Sequence, residues 1–137
     1  MRVLIVEDDA SARRGLTELV RAWGYDAEGA SDGQDGLEKI TTYRPSVVLA
    51  DMVMPRMDGL ELLRHVKEQL TELTFVLITA QGSVDTAVSA MKEGAYDYLA
   101  KPVDPQRLRT LFDLGCELAG ISTWLGRLAR ALERSDL

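Results

Sequence analysis

Short apolar runs rich in β-branched residues alternate along this chain with longer segments whose apolar residues recur at helical spacing. Strands are predicted over Arg2 to Val6, Tyr25 to Ala30, Ser46 to Ala50, Thr74 to Thr79 and Tyr96 to Ala100. Each is followed by a helical segment, the pattern of a parallel sheet with helices on its faces. Only the second run alternates, with Asp26 and Glu28 set between small or apolar residues, as a half-exposed edge strand does. The first, third and fourth are nearly continuous apolar runs, which suit strands covered on both faces. The sheet therefore has an interior and an edge.

Between the strands, Leu16, Leu19, Val20 and Trp23 fall at i, i+3, i+4 and i+7, and Val84, Ala87, Val88 and Met91 repeat that spacing. Each set predicts one buried stripe on an amphipathic helix. Gly24 and Gly94 stand where helices end in a left-handed residue. Ser31-Asp32-Gly33 and Asp104-Pro105 read as helix starts, each with a capping acid and the second with proline at the first helical position.

A length of 137 residues and 46% hydrophobic content bound the chain to one ordinary soluble domain with a core of useful size. No apolar stretch approaches the roughly 20 residues of a membrane span. Sixteen basic against 22 acidic side chains leave a net charge of −6, which argues against direct wrapping of nucleic acid by this chain. The single cysteine, Cys116, excludes an internal disulfide. The start Met1-Arg2-Val3-Leu4-Ile5-Val6 turns acidic at Glu7, too soon for a secretory signal. The expected location is cytoplasmic.

The charged groups then take places dictated by the fold, because an open parallel sheet gathers its chemistry at the carboxyl ends of its strands, where strand order reverses. Glu7, Asp8 and Asp9 follow the first strand, Asp51 follows the third, Thr79 closes the fourth and Lys101-Pro102 follows the fifth. In the doubly wound, flavodoxin-like order 2-1-3-4-5 the first and third strands are neighbours, so their terminal acids face each other. Carboxylates gathered in this way repel unless a cation joins them, and Mg²⁺ suits hard oxygen ligands. A lysine and a threonine opposite the acids make a cradle for phosphoryl oxygens. Asp51 is then a nucleophile that becomes an acyl phosphate.

The segments VLIVEDDASARRGL, VVLADMVMPRMDGLELL and VLITAQGSVDTAVSAMKEGAYDYLAKPVD resemble the receiver domain of two-component response regulators, in order and spacing from residue 2 to about 117. The resemblance implies a phosphorylation-dependent switch that is no separate enzyme and catalyses only its own phosphorylation and dephosphorylation. It makes Asp51 the acceptor of a phosphoryl group from the phosphohistidine of a sensor histidine kinase. It also implies Asp8 as a direct Mg²⁺ ligand, Glu7 as its outer or water-mediated partner, and the Val53 backbone carbonyl as completing the coordination. Thr79 is expected to hydrogen-bond the phosphoryl group, Lys101 to pair with it, and Lys101-Pro102 to be cis. Asp9, one step late relative to Arg13-Arg14, is expected to cap the first helix instead of holding metal.

In this family phosphorylation draws the threonine inward and lets an aromatic residue, here Tyr98, turn from solvent toward the core. The altered surface, Ala80 to Tyr98, is where members dimerise or meet output partners. The stretch ITAQGSVDTAVSAMKEGAYDYLAKPVD is especially similar to receivers of nitrogen-regulator-type, sigma-54-dependent transcription activators. That likeness implies an output domain absent from these residues, the chain being a stand-alone receiver or a fragment.

Toward the C-terminus, Leu111, Leu114, Leu118, Ile121, Leu125, Leu128 and Leu132 follow a 3-4 spacing. The fifth helix is expected to end near residue 117, making 1–117 the receiver and 118–137 a helical extension. That extension is expected to form a two-stranded coiled coil of a homodimer or to dock on a neighbour. A helix folded back on its own domain is the competing reading. Gly115, Gly120 and Gly126 weaken it by roughly 1 kcal/mol each. His65, beside Arg64 and Lys67, reads as exposed and functionally silent, and Met52, Met54 and Met57 read as loop packing.

Two rival functions use the same residues. A haloacid-dehalogenase-type Mg²⁺-dependent phosphatase also has an aspartate nucleophile, but needs a second aspartate where this chain has Val53. A receiver-like interaction module that accepts no phosphate predicts loss of Asp51, Thr79 or Lys101, and all are present.

Overall fold

The computed structural model describes residues 2–69, 73–80 and 84–120. Five parallel strands, β1 (Arg2–Val6), β2 (Asp26–Ala30), β3 (Val47–Asp51), β4 (Thr74–Thr79) and β5 (Asp97–Ala100), lie in the order β2-β1-β3-β4-β5. Helices α1 (Ala10–Ala22), α2 (Gly33–Tyr43), α3 (Gly59–His65), α4 (Val84–Lys92) and α5 (Pro105–Gly120) complete the alternation, with a 3-10 turn at Lys67–Gln69. The expected strand order and edge are both present. Tyr25, Ser46 and Tyr96 fall just outside their strands. Asp51 ends β3 from within, paired with Ile78 of β4.

Strand periodicity divides the core into two layers. Val3, Ile5, Val47, Leu49, Val76 and Ile78 face α1 and α5, where Val20, Leu108 and Phe112 are buried against them. Leu4, Val6, Val48, Ala50, Phe75 and Leu77 face the other way, toward Ile40, Leu62, Leu63 and Ala90. The β1–β3 register pairs Val6 with Ala50. Continued by one residue, the same period brings Glu7 beside Asp51 on the α1 side of the sheet.

Edge strand β2 leaves alternate carbonyls without a strand partner, and side chains cap two of them. Arg21 Nη2 and Nε donate to the Ala27 carbonyl at 2.7 and 3.2 Å, and Lys39 Nζ donates to the Gly29 carbonyl at 2.6 Å. An edge occupied in this way is a poor template for another chain.

Helix ends follow their local chemistry. Asp9, Asp32 and Asp58 accept from the backbone N–H of Ser11, Asp35 and Glu61 at 3.1, 2.8 and 2.8 Å. Asp9 therefore does cap α1. Gly24 and Gly94 take φ of 97° and 101°, the left-handed turn expected after helix ends.

The α1 stripe is placed as expected, with Val20 buried and Leu16, Leu19 and Trp23 packed beside it. The stripe expected on α4 departs from this at Val88 and Met91, while the side chains of Val84 and Ala87 lie outside the described residues. Val88 and Met91 are exposed, at 45% and 37%, while Ala90 is fully buried. Helical spacing establishes which residues share a face; it leaves open which face meets the sheet. Here the small Ala90 side chain lies against the core, and Val88 and Met91 turn outward.

Helix α5 is anchored by Leu108 and Phe112, with Trp23 and Tyr25 edge-on to the Phe112 ring at 6.0 Å. Leu111, the first position of the proposed dimer seam, packs on this same intradomain layer. The helix continues through Gly120, past the expected end near 117. The side chains of Leu114 and Leu118, and residues Ile121, Leu125, Leu128 and Leu132 entirely, lie outside the described residues. His65 is exposed, Met54 is buried, and Met52 and Met57 are half-buried against the core. Among the described residues no helix is long and apolar enough to cross a membrane.

The orientation of α4 makes a ranking that chemical denaturation checks. Val88→Ser should leave unfolding free energy within about 0.5 kcal/mol of the parent. Ala90→Leu, which inserts methylenes into a filled layer, should lower it by about 1–3 kcal/mol. The opposite ranking would return Val88 to the core.

Candidate functional site

Three loops at the carboxyl rim of the sheet supply the polar groups. Beyond β1, the Glu7 N–H donates to the Ala30 carbonyl at 3.0 Å, prolonging the ladder by one residue before α1 begins. Beyond β3, the chain turns sharply enough that α3 starts against Asp51 itself. A Cβ on Gly59 would lie 2.4 Å from the Asp51 carbonyl oxygen, so only glycine fits this close approach. Beyond β5, the Lys101 N–H donates to the Thr79 carbonyl at 2.8 Å, and the Lys101-Pro102 peptide is cis, as expected.

These loops place Glu7, Asp8, Asp51 and Lys101 in one pocket. Lys101 Nζ lies 2.7 Å from Asp51 Oδ2 and 3.3 Å from Glu7 Oε1. Asp51 Oδ1 accepts the Val53 backbone N–H at 3.0 Å, so both of its oxygens are held. Carboxylate oxygens of Glu7, Asp8 and Asp51 lie within 4.8 Å of one another. Glu7 and Asp51 are buried, whereas Asp8 is exposed at the mouth. Thr79 is buried at the end of β4, in the strand beside Asp51. A cavity of about 430 Å³ opens from Glu7, Asp51 and Lys101 toward Leu16, Leu19 and Val103.

Two further expected residues lie differently. The Val53 side chain is 71% exposed, and its N–H is the group that reaches Asp51. Tyr98, paired with Leu77 on β5, is half-buried against the layer that contains Leu77 and Ala90. It therefore belongs to the α4 side of the sheet, away from the acids.

Burial, then the hydrogen bond to Asp51 and the Asp51 charge, push the Glu7 carboxyl up to about 8. Burial acts in the same direction on Asp51, but hydrogen bonds from Glu7, Lys101 and the Val53 N–H, with the Lys101 charge, outweigh it and hold Asp51 below its usual range. Lys101 is likewise opposed by burial, yet its bond to Asp51 and the charges of Asp51 and Glu7 raise it. At neutral pH the site holds an Asp51 carboxylate, a Lys101 ammonium and a proton on Glu7. Three carboxylates gathered at one rim offer only oxygen donors, the chemistry of a hard divalent cation site.

Spacing motifs overlooked two contributors. Arg13 Nη1 donates to the Glu7 carbonyl at 2.8 Å, a contact that no motif names. Arg56, at φ 69°, lies 3.7 Å from the buried, α2-capping Asp32 and ties the loop after β3 to α2. An arginine one turn into a helix carries no local signal of which carbonyl it will reach.

Comparison with known proteins gives a consistent picture. A family model described as the response regulator receiver domain matches residues 3–113. Regulatory protein AtoC of Escherichia coli (strain K12) is 34% identical over 134 residues, covering 98% of this chain and 29% of that protein. Transcriptional regulatory protein ZraR of Klebsiella oxytoca is 42% identical over 107 residues, covering 78% of this chain and 24% of that protein. This chain thus spans less than a third of the length of either relative. The crystal structure of the receiver domain of NtrX from Brucella abortus is 33% identical, with a TM-score of 0.78 over 84% of this chain and 98% of that one.

The raised Glu7 carboxyl links stability to pH. In the metal-free protein the folded state keeps a proton up to about 8 that the unfolded chain releases near 4.5. Its stabilising contribution is complete below the lower value and is lost as pH rises toward the upper one, at no more than ~1.4 kcal/mol per pH unit. Urea titrations between these limits should show Glu7→Gln with a flatter pH profile than the parent. Parallel profiles would mean that Glu7 does not carry the proton.

Proposed function

The chain belongs to the response regulator receiver family, and from that membership we propose that it is a phosphorylation-dependent signalling switch whose acceptor is Asp51. The observation that carries this reading is the Lys101 ammonium 2.7 Å from the buried Asp51 carboxylate, in a pocket shared with Glu7. Both Asp51 oxygens are oriented before any donor arrives. An Asp51 oxygen attacks the phosphorus of a phosphohistidine on a sensor kinase. The O–P bond forms as the P–N bond breaks, and the imidazole keeps the electron pair and gains a proton. Lys101 then pairs with the phosphoryl oxygens, and the Thr79 hydroxyl hydrogen-bonds them.

Asp8, Asp51 and Glu7, with the Val53 carbonyl, are the groups that would hold Mg²⁺. When bound, the ion supplies positive charge to the phosphoryl oxygens. Glu7 must release its proton to join that set, so affinity should rise with pH. The all-oxygen donor set at the strand rim supports this assignment.

Phosphorylation adds charge beside Thr79 and biases Tyr98 toward the core, altering the α4–β5 surface. The exposed Val88 and Met91 support that surface as the one offered to a partner or a second copy. We assign residues 1–117 to the receiver and 118–137 to a helical linker to an output domain, in a cytoplasmic homodimer controlling transcription. Similarity to AtoC over 134 residues supports a place among nitrogen-regulator-type, sigma-54-dependent activators.

Incubation with acetyl phosphate and Mg²⁺, read by intact mass, tests this reading. The parent should gain one phosphate, Asp51→Ala none, and chelation should abolish the gain. Lys101→Ala should slow labelling by about 10²-fold or more. Sustained turnover would indicate a phosphatase, and an unlabelled parent would indicate a module that accepts no phosphate.

A further inference from the structure

We infer that Arg13, lying across Gly29, is a positioning residue that sets Glu7 and Asp8 at the spacing a divalent cation requires. This rests on the functional reading above and adds a part that the motif does not name. The short loop from Glu7 to Asp9 must hold two acidic side chains in register with Asp51. Its Glu7 N–H is tied to β2 through the Ala30 carbonyl at 3.0 Å. Its carbonyls are gathered by α1: one guanidinium nitrogen, Arg13 Nη1, lies 2.8 Å from the Glu7 oxygen and 3.5 Å from the Asp8 oxygen. Holding these carbonyls restricts the peptide planes that aim the Glu7 and Asp8 side chains. Hydrogen bonds from a charged donor are stronger than neutral ones, particularly where partly buried.

The guanidinium orients these acids without neutralising them. Among the described residues Arg13 has no carboxylate partner, and both of its side-chain hydrogen bonds go to main-chain oxygens. Arg13 therefore does not compete with a cation for either carboxylate, as an arginine paired to one of them would.

Reaching the loop requires the arginine stem to run back along α1, over the face of β2, as helical side chains lean. That path passes Gly29. A Cβ at this position would meet Arg13 Cδ at 2.9 Å and Cγ at 3.0 Å. Glycine inside a strand weakens it, and often marks a close approach. What Gly29 supplies here is room for the stem.

Calorimetric titration of MgCl₂ into the full chain, without phosphodonor, tests the arrangement alongside urea midpoints. Arg13→Ala should raise the Mg²⁺ Kd by about 10- to 100-fold, as for other groups that orient ligands. Arg13→Lys, still able to donate to both carbonyls, should recover most of the affinity. Gly29→Ala should weaken binding in the same direction. Added to Arg13→Ala it should change nothing more, because the stem it displaces is gone. Parental affinity in Arg13→Ala, or effects that multiply in the double variant, would overturn the inference while the acceptor assignment stood. If Arg13→Ala does not fold, Gly29→Ala decides alone, unaltered affinity being the negative result. A parental chain that binds no Mg²⁺ would overturn the functional reading as well.

Discussion

Two carboxylates buried side by side at the rim of a parallel sheet are the constraint on which the rest of this structure turns. Desolvation and mutual repulsion each oppose charging both, and the protein answers with a proton on Glu7 and the ammonium of Lys101 against Asp51. The compensation is incomplete by design of the fold: the exposed Asp8 adds a third acid and Arg13 lends its charge to carbonyls instead. A site left electron-rich in this manner has stored affinity for positive charge.

That electrostatic arrangement is tied to the architecture through elements with no chemistry of their own. Gly59 lets α3 begin against the Asp51 carbonyl, and Arg56 braces the intervening loop on Asp32. Thr79 links the acids to β5 through its carbonyl, while Tyr98 on β5 faces the opposite layer and α4. Charge placed on Asp51 is thereby one strand away from the surface bearing Val88 and Met91.

The strands were legible because burial on both faces demands continuous apolar runs, and β1, β3 and β4 have them. The site was legible for a related reason: an acid that ends such a run has no place except the rim, and the strand order brings the rim acids together. Capping was readable wherever one side chain meets its own next turn, as at Asp9, Asp32 and Asp104. Val88 and Met91 on α4 defy the expected stripe because periodicity carries no information about which side of a helix the sheet will occupy. Arg13 was passed over because its partner is a carbonyl, and every residue has one.

By itself the amino-acid sequence determined the alternation of strands and helices, their caps, and the set of polar residues able to meet at the strand ends, since all of these follow from local spacing and from the expense of burying a charge. Only the tertiary structure decided that Lys101 meets Asp51 across 50 residues and Glu7 across 94. It also decided that Ala90 and not Val88 lies against the core, and that the Arg13 stem crosses Gly29. These are distances between elements, and distances between elements arise from packing, which no single segment encodes.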